Sequence, residues 1–119
     1  MKKKKFKKII CFDIDNVICT TTGRNYRNAK PNKAGIKKIN YLFKSGYMIK
    51  LFTSRYMGRN MENKSKAKKQ GYKMTANQLK KWNVNYHKLF FGKPSFDLFV
   101  DDKAIYFKKN WHKYINKYI

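Results

Sequence analysis

Acidic residues are scarce in this chain: six Asp and Glu stand against thirty Lys and Arg in 119 residues, a formal net charge of +24. Each carboxylate position is therefore informative. Cysteine is scarce too. Cys11 and Cys19 are the only two, which excludes a disulfide framework and, without a second pair at ligand spacing, a zinc site. Both are expected to be reduced. There is no run of about 18 apolar residues, so no membrane-spanning helix is expected. The basic start, Met1 to Lys5, resembles the charged end of a signal peptide. The apolar stretch behind it is short and carries Asp13 and Asp15, which argues against a secretory core and for a cytoplasmic protein without membrane insertion. No repeat and no linker is found. The expectation is one domain over residues 1–119.

What is present is apolar and basic. Hydrophobic residues make up 42% of the chain, with nine Phe, nine Tyr and two Trp, enough for a packed core. The lysines are spread along the whole sequence. Asn, Ile, Tyr and Phe are also abundant and Ala is rare, as AT-rich coding would give. Compositional drift is the favoured account of the charge, although the charge still attracts anions.

Strand and helix patterns alternate, which predicts an α/β layer structure with a mainly parallel sheet. Lys7 to Ile14 reads as a buried first strand. Asn16 to Asn32 reads as a loop or small hairpin. A helix is expected from Lys33 to Ser45, with Asn32 as N-cap, Gly46 just past its end, and Ile36, Ile39 and Phe43 on one face. Met48 to Phe52 is the second strand, stopping at Thr53. A basic helix is expected over Asn60 to Gln70, ending at Gly71. Thr75 and Gln78 have capping-box spacing and predict a separate short helix to Trp82. Tyr86 to Phe91 is a third strand and Asp97 to Val100 a short fourth. The tail, Lys108 to Tyr118, is expected to be a helix that rests Trp111 and Ile115 on the sheet. His87 and His112 have no partner pattern and read as structural or exposed.

Four of the six acids fall at strand ends: Asp13 and Asp15 after the first, Asp101 and Asp102 after the fourth. In a parallel sheet these ends face the same way, toward the edge where ligands bind in open α/β folds. Carboxylates gathered there would repel one another and lose solvation. A Mg²⁺ ion facing a phosphate would relieve both costs. Thr53, with Ser54 and Arg55 behind it, closes the second strand in a turn suited to phosphate oxygens. Lys93, in Gly92-Lys93-Pro94 just after the third strand, can neutralise a phosphoryl group and a carboxylate.

These segments resemble the four ordered motifs of the haloacid dehalogenase-like superfamily of phosphohydrolases. "DIDNV" is similar to the first, Thr53 in "LFTSR" to the second, Lys93 in "GKPSFDLFV" to the third, and "FVDD" to the fourth. The resemblance covers nearly the whole chain. It implies a Rossmann-like three-layer α/β/α fold, with the first strand between the second and the fourth. It also implies an aspartyl-phosphate mechanism. Asp13 would be the nucleophile, and Asp15 the general acid and then the base. Asp13, the Asp15 carbonyl and Asp101 would hold Mg²⁺, with Asp102 a further or alternate ligand. Thr53 and Lys93 would bind the transferring phosphoryl group. Asn16 departs from the pattern, since many members carry Gly there, and Val17 stands where many carry Thr.

The gaps Ile18 to Asn32 and Tyr56 to Asn85 leave no room for a cap domain. The implied activity is Mg²⁺-dependent phosphomonoester hydrolysis of a small phosphorylated metabolite such as a sugar phosphate. Similar short sequences resemble capsule- or surface-sugar-associated members of the superfamily. Arg55 and Arg59 would be anion contacts or surface charges. Phosphatase action on nucleic-acid ends, a non-catalytic basic nucleic-acid-binding module, and a homo-oligomer closing over the site stay open as alternatives.

Overall fold

A computed structural model describes residues 5–119. The first four residues of the basic start lie outside the described part. In chain order the elements are strand β1 (Ile9–Phe12), strand β2 (Cys19–Thr20), strand β3 (Lys30–Pro31), helix α1 (Lys33–Lys44), strand β4 (Met48–Thr53), helix α2 (Lys64–Lys81) and strand β5 (Lys88–Phe91). Short 3-10 turns cover Trp111–Lys113 and Ile115–Tyr118. β1, β4 and β5 form a parallel sheet in the order β1-β4-β5, and β2 pairs with β3 in a separate antiparallel ribbon.

The register explains the burial. Ile10 lies beside Ile49, Phe12 beside Leu51, and Leu51 in turn beside Leu89. These side chains share one face and meet Ile36, Ile39 and Leu42 of α1 and Leu79 of α2 in the main core. Burying a side chain of that size stabilises by roughly 1.5–3 kcal/mol. The alternate positions Ile9, Cys11, Lys88 and Phe90 point the other way and are exposed. Both helices thus pack on one sheet face. Among the described residues the arrangement has two layers, not the three expected. No helix among the described residues is long and apolar enough to cross a membrane.

α1 forms where its local signals place it. The Asn32 side chain accepts a hydrogen bond from the Gly35 amide at 3.0 Å, a standard N-cap. At the other end Gly46 adopts φ +98°, and the Tyr47 amide reaches back to the Leu42 carbonyl at 3.1 Å. That closes the helix as a left-handed glycine does.

α2 departs from expectation. It is one helix of 18 residues, capped by Asn63 onto Lys66, and it runs straight through Gly71 and Thr75. Gly71 faces the Tyr56 ring so closely that an added Cβ would run into it and press on Phe91. The glycine is a close-approach residue, and the helix continues past it. Alanine elsewhere in a helix gains up to about 1 kcal/mol over glycine. Here Gly71→Ala is expected to cost about 1–3 kcal/mol through overpacking, read as a lower urea midpoint at unchanged slope.

The fourth strand is a correction. Residues 97–102 are exposed and belong to no strand, with Leu98 81% and Val100 89% exposed. Phe96 and Phe99 stack on each other with centroids 4.9 Å apart. Positions i and i+3 of a strand point to opposite faces, so that stack excludes an extended chain. The tail is likewise two 3-10 turns, not a helix. It nonetheless buries Trp111 and Ile115 as expected, and the Trp111 indole donates to the Val17 carbonyl at 3.1 Å. His87 is structural: its Nδ1 accepts from the Ile49 amide at 3.0 Å and its ring stacks on Phe43.

Candidate functional site

Three parallel strands end at one edge, and each end carries an expected site residue. Asp13 follows β1, Thr53 closes β4, and Lys93 lies two residues past β5. The Lys93 amide donates to the Thr53 carbonyl at 3.1 Å, which ties the third strand end to the second. The Lys93 ammonium lies 3.0 Å from Asp13 Oδ2. The other Asp13 oxygen accepts from the Ile14 amide at 2.8 Å. Lys93 also sits over the Phe96 and Phe99 rings, 5.4 and 5.8 Å from their centroids.

Burial pushes the Asp13 carboxyl above its ordinary value of 3.8; Lys93 opposes the shift without cancelling it. The native state therefore holds this proton more tightly than the unfolded chain does. Stability from the group is complete below about pH 3.8 and is lost as pH rises through the raised folded value. Asp13→Asn, which cannot ionise, should then unfold at higher urea than the parent at pH 7. The two midpoints should converge as pH falls toward 4. A variant less stable than the parent at pH 7 would contradict this sign.

Asp15 is engaged differently. Its two oxygens accept from Arg55 Nε and Nη2, both at 2.9 Å, and Oδ1 also accepts from the Thr21 hydroxyl at 2.6 Å. Arg55 is 1% exposed. Its Nη1 donates to Gln78 at 2.7 Å and Thr75 at 3.3 Å, and its guanidinium lies 4.9 Å from the Tyr26 ring centroid. Such bidentate pairing suits a planar guanidinium and spends its donors. The sequence reading of Arg55 as an anion contact or a surface charge is corrected: it is an internal tie between the β1–β2 loop and α2. Thr75 and Gln78, read as a helix start, are its partners, and Gln78 also donates to the Tyr26 carbonyl at 2.7 Å. Thr21 and Tyr26 carried no signal of this in the sequence. The Thr75/Gln78 spacing was visible, but its partner was 20 residues away.

The remaining residues divide. Thr53 is fully buried, and its hydroxyl accepts from the Arg55 amide at 3.1 Å. It shapes the turn and does not face outward. Ser54 beside it is half-buried. Arg59 is exposed and lies over the Tyr56 ring at 4.5 Å. Asn16 adopts φ +67°, a left-handed conformation that Gly takes freely and Asn tolerates. That accounts for the departure at this position. Its side chain also accepts from the Thr21 amide at 3.2 Å.

Asp101 and Asp102 are exposed, and Asp101 accepts from the Lys103 amide at 2.7 Å. The expected meeting of the two acidic pairs is not found. Among the described residues no three Asp, Glu, His or Cys side chains are grouped to hold a metal ion. Asp13 is committed to Lys93 and Asp15 to Arg55. As arranged, these donors do not fit Mg²⁺, which needs carboxylate oxygens free to coordinate.

No protein-family model matches the sequence, and no curated protein matches it. A solved structure of a structural-genomics target from Vibrio cholerae is similar to this chain with a TM-score of 0.81. The match covers 93% of this chain and 95% of that one at 22% identity. At that identity the likeness shows a shared fold.

Proposed function

We propose that this chain is a phosphomonoester hydrolase of the haloacid dehalogenase-like type, with Asp13 as its nucleophile. One observation carries the reading: Asp13 and Lys93 form a 3.0 Å pair at the carboxyl edge of the parallel sheet. In this cycle an Asp13 oxygen attacks phosphorus and the ester P–O bond breaks, the departing oxygen taking a proton from solvent water to leave as the alcohol. Water then attacks the aspartyl phosphate, releasing phosphate and restoring the carboxylate. Lys93 offsets charge on the transferring group. Proton transfer by Asp15 would require it to leave Arg55, which holds both its oxygens. The proposed substrate is a small phosphorylated metabolite such as a sugar phosphate.

The magnesium dependence belongs to the same proposal and needs a rearrangement. β1 is an edge strand among the described residues, and the apolar side chains of Leu98 and Val100 are exposed. Closing residues 97–102 onto that edge would open the Phe96–Phe99 stack, pair backbone groups and carry Asp101 along.

The test is phosphate release from a panel of phosphorylated metabolites and of 5′- and 3′-phosphorylated oligonucleotides, each with Mg²⁺ and with a chelator. Turnover of sugar phosphates that stops with chelator supports the reading and the closure. Turnover unaffected by chelator removes the role of Asp101. Turnover of oligonucleotide ends alone transfers the substrate assignment to nucleic acid, and silence across the panel ends the enzyme reading.

A further inference from the structure

Away from the Asp13–Lys93 pair, a cleft of about 600 Å³ opens between α1 and the end of α2. Its volume is in the range of ligand sites. Lys33, Lys37 and Lys44 line one wall, with Tyr41 among them; Lys81 and Trp82 line the other. On α1 these positions follow helical spacing and form one stripe, about 16 Å long at 1.5 Å per residue. Tyr41 is 63% exposed, with the Lys38 ammonium 5.2 Å from its ring centroid, and Trp82 is half-buried with part of its side chain against the main core. The walls are fixed to each other. Asn40 donates to the Asn83 carbonyl at 2.8 Å and accepts from the Asn85 amide at 2.8 Å.

We propose that this cleft binds single-stranded nucleic acid, the lysines tracking phosphates while Tyr41 and Trp82 offer faces for unstacked bases. Lysine alone would not single the cleft out, because this chain carries it everywhere. The outer face of α2 has as many lysines, including the exposed Lys66 and Lys69, but they do not line this cleft. Concavity with aromatic side chains set between the cations is the combination that single strands use. A duplex keeps its base faces stacked, so it cannot offer them to Tyr41 and Trp82. The inference does not rest on the proposed hydrolase, since none of the lining residues belongs to that site.

The test is fluorescence anisotropy of a 5′-labelled twelve-residue oligothymidylate with the full chain, from 50 to 200 mM salt. Lys37→Glu/Lys44→Glu is expected to weaken binding by about tenfold or more. It should also flatten the log–log salt dependence by about 1.4, at roughly 0.7 per phosphate contact on single strands. Tyr41→Ala, at an exposed position, should weaken binding about fivefold or more, as loss of one stacked base does, without altering the slope. Lys66→Glu/Lys69→Glu makes the same change of charge outside the cleft and should stay within threefold of the parent. Asp13→Asn should bind as the parent does, so failure here and failure of the hydrolase are separable. Far-UV circular dichroism confirms that each variant is folded. Equal losses from the two lysine pairs would mean that the whole +24 surface binds, and would overturn the proposal. It would be overturned equally by an indifferent Tyr41→Ala, by no oligonucleotide binding, or by cleft-dependent binding to phosphatidylserine vesicles in place of the oligonucleotide.

Discussion

Replacing Asp13 by asparagine is expected to lower turnover of p-nitrophenyl phosphate by on the order of 10³-fold or more, the scale at which loss of a covalent nucleophile is felt. The substitution keeps the side chain's shape. Its amide oxygen can still accept from the Ile14 amide, which donates to Asp13 Oδ1 at 2.8 Å. The fold should therefore survive, and the stability gain expected at neutral pH supplies an internal control. What disappears is the charged oxygen able to form a bond to phosphorus. Lys93→Met should cost less, about 10²–10³-fold, the scale for one electrostatic partner of a transition state. The ranking matters. If Asp13→Asn stays within tenfold of the parent while remaining folded, the aspartyl-phosphate route is wrong, whatever substrates the panel yields. If Lys93→Met is the more damaging of the two, the pair is chiefly an anion site and Asp13 merely orients the lysine.

The features legible in the sequence are those whose causes are local. Asn32, the apolar positions 36 and 39, and Gly46 are each read within a few residues of where they act, and α1 appears within a residue of its expected span. β4 and β5 were readable for the same reason, as short β-branched and aromatic runs with a turn behind them. Misread features have partners far away in the chain. Gly71 reads as a helix end because a glycine's close approach to a ring fifteen positions earlier leaves no mark on its neighbours. Thr75 and Gln78 show capping spacing but serve Arg55. Asp97 to Val100 has a strand's composition, yet a strand also needs a neighbour to pair with, and composition cannot report whether one is offered. The candidate site divides in the same way. The edge positions of Asp13 and Lys93 follow from strand ends and were readable. The capture of Asp15 by a buried arginine depends on packing between the β1–β2 loop and α2, and was not.

Arg55→Ala is expected to destabilise the protein by about 3–5 kcal/mol, the cost of removing one partner of a buried ion pair. Single-domain stability is only about 5–15 kcal/mol in total, so the variant should be marginal at 37 °C. Several losses coincide at this residue. Asp15, whose side chain is 21% exposed, would lose its bidentate partner. Gln78 and Thr75 would lose a donor, and the Tyr26 ring would lose the guanidinium resting on it. Arg55→Lys should recover only part of the loss, since one ammonium cannot span both carboxylate oxygens and still reach Gln78. Urea unfolding reads the size, with unchanged slope as the check that the transition remains two-state. Combining Arg55→Ala with Asp15→Asn separates the charge from the packing. If the unpaired carboxylate causes most of the loss, the double variant should be less destabilised than the two single changes added together, by about 0.5–3 kcal/mol. Strict additivity would assign the loss to packing around the guanidinium. A loss below about 1 kcal/mol for Arg55→Ala would mean that the guanidinium is not an internal tie. Arg55 would then be free to meet a phosphate, as its place after β4 first suggested.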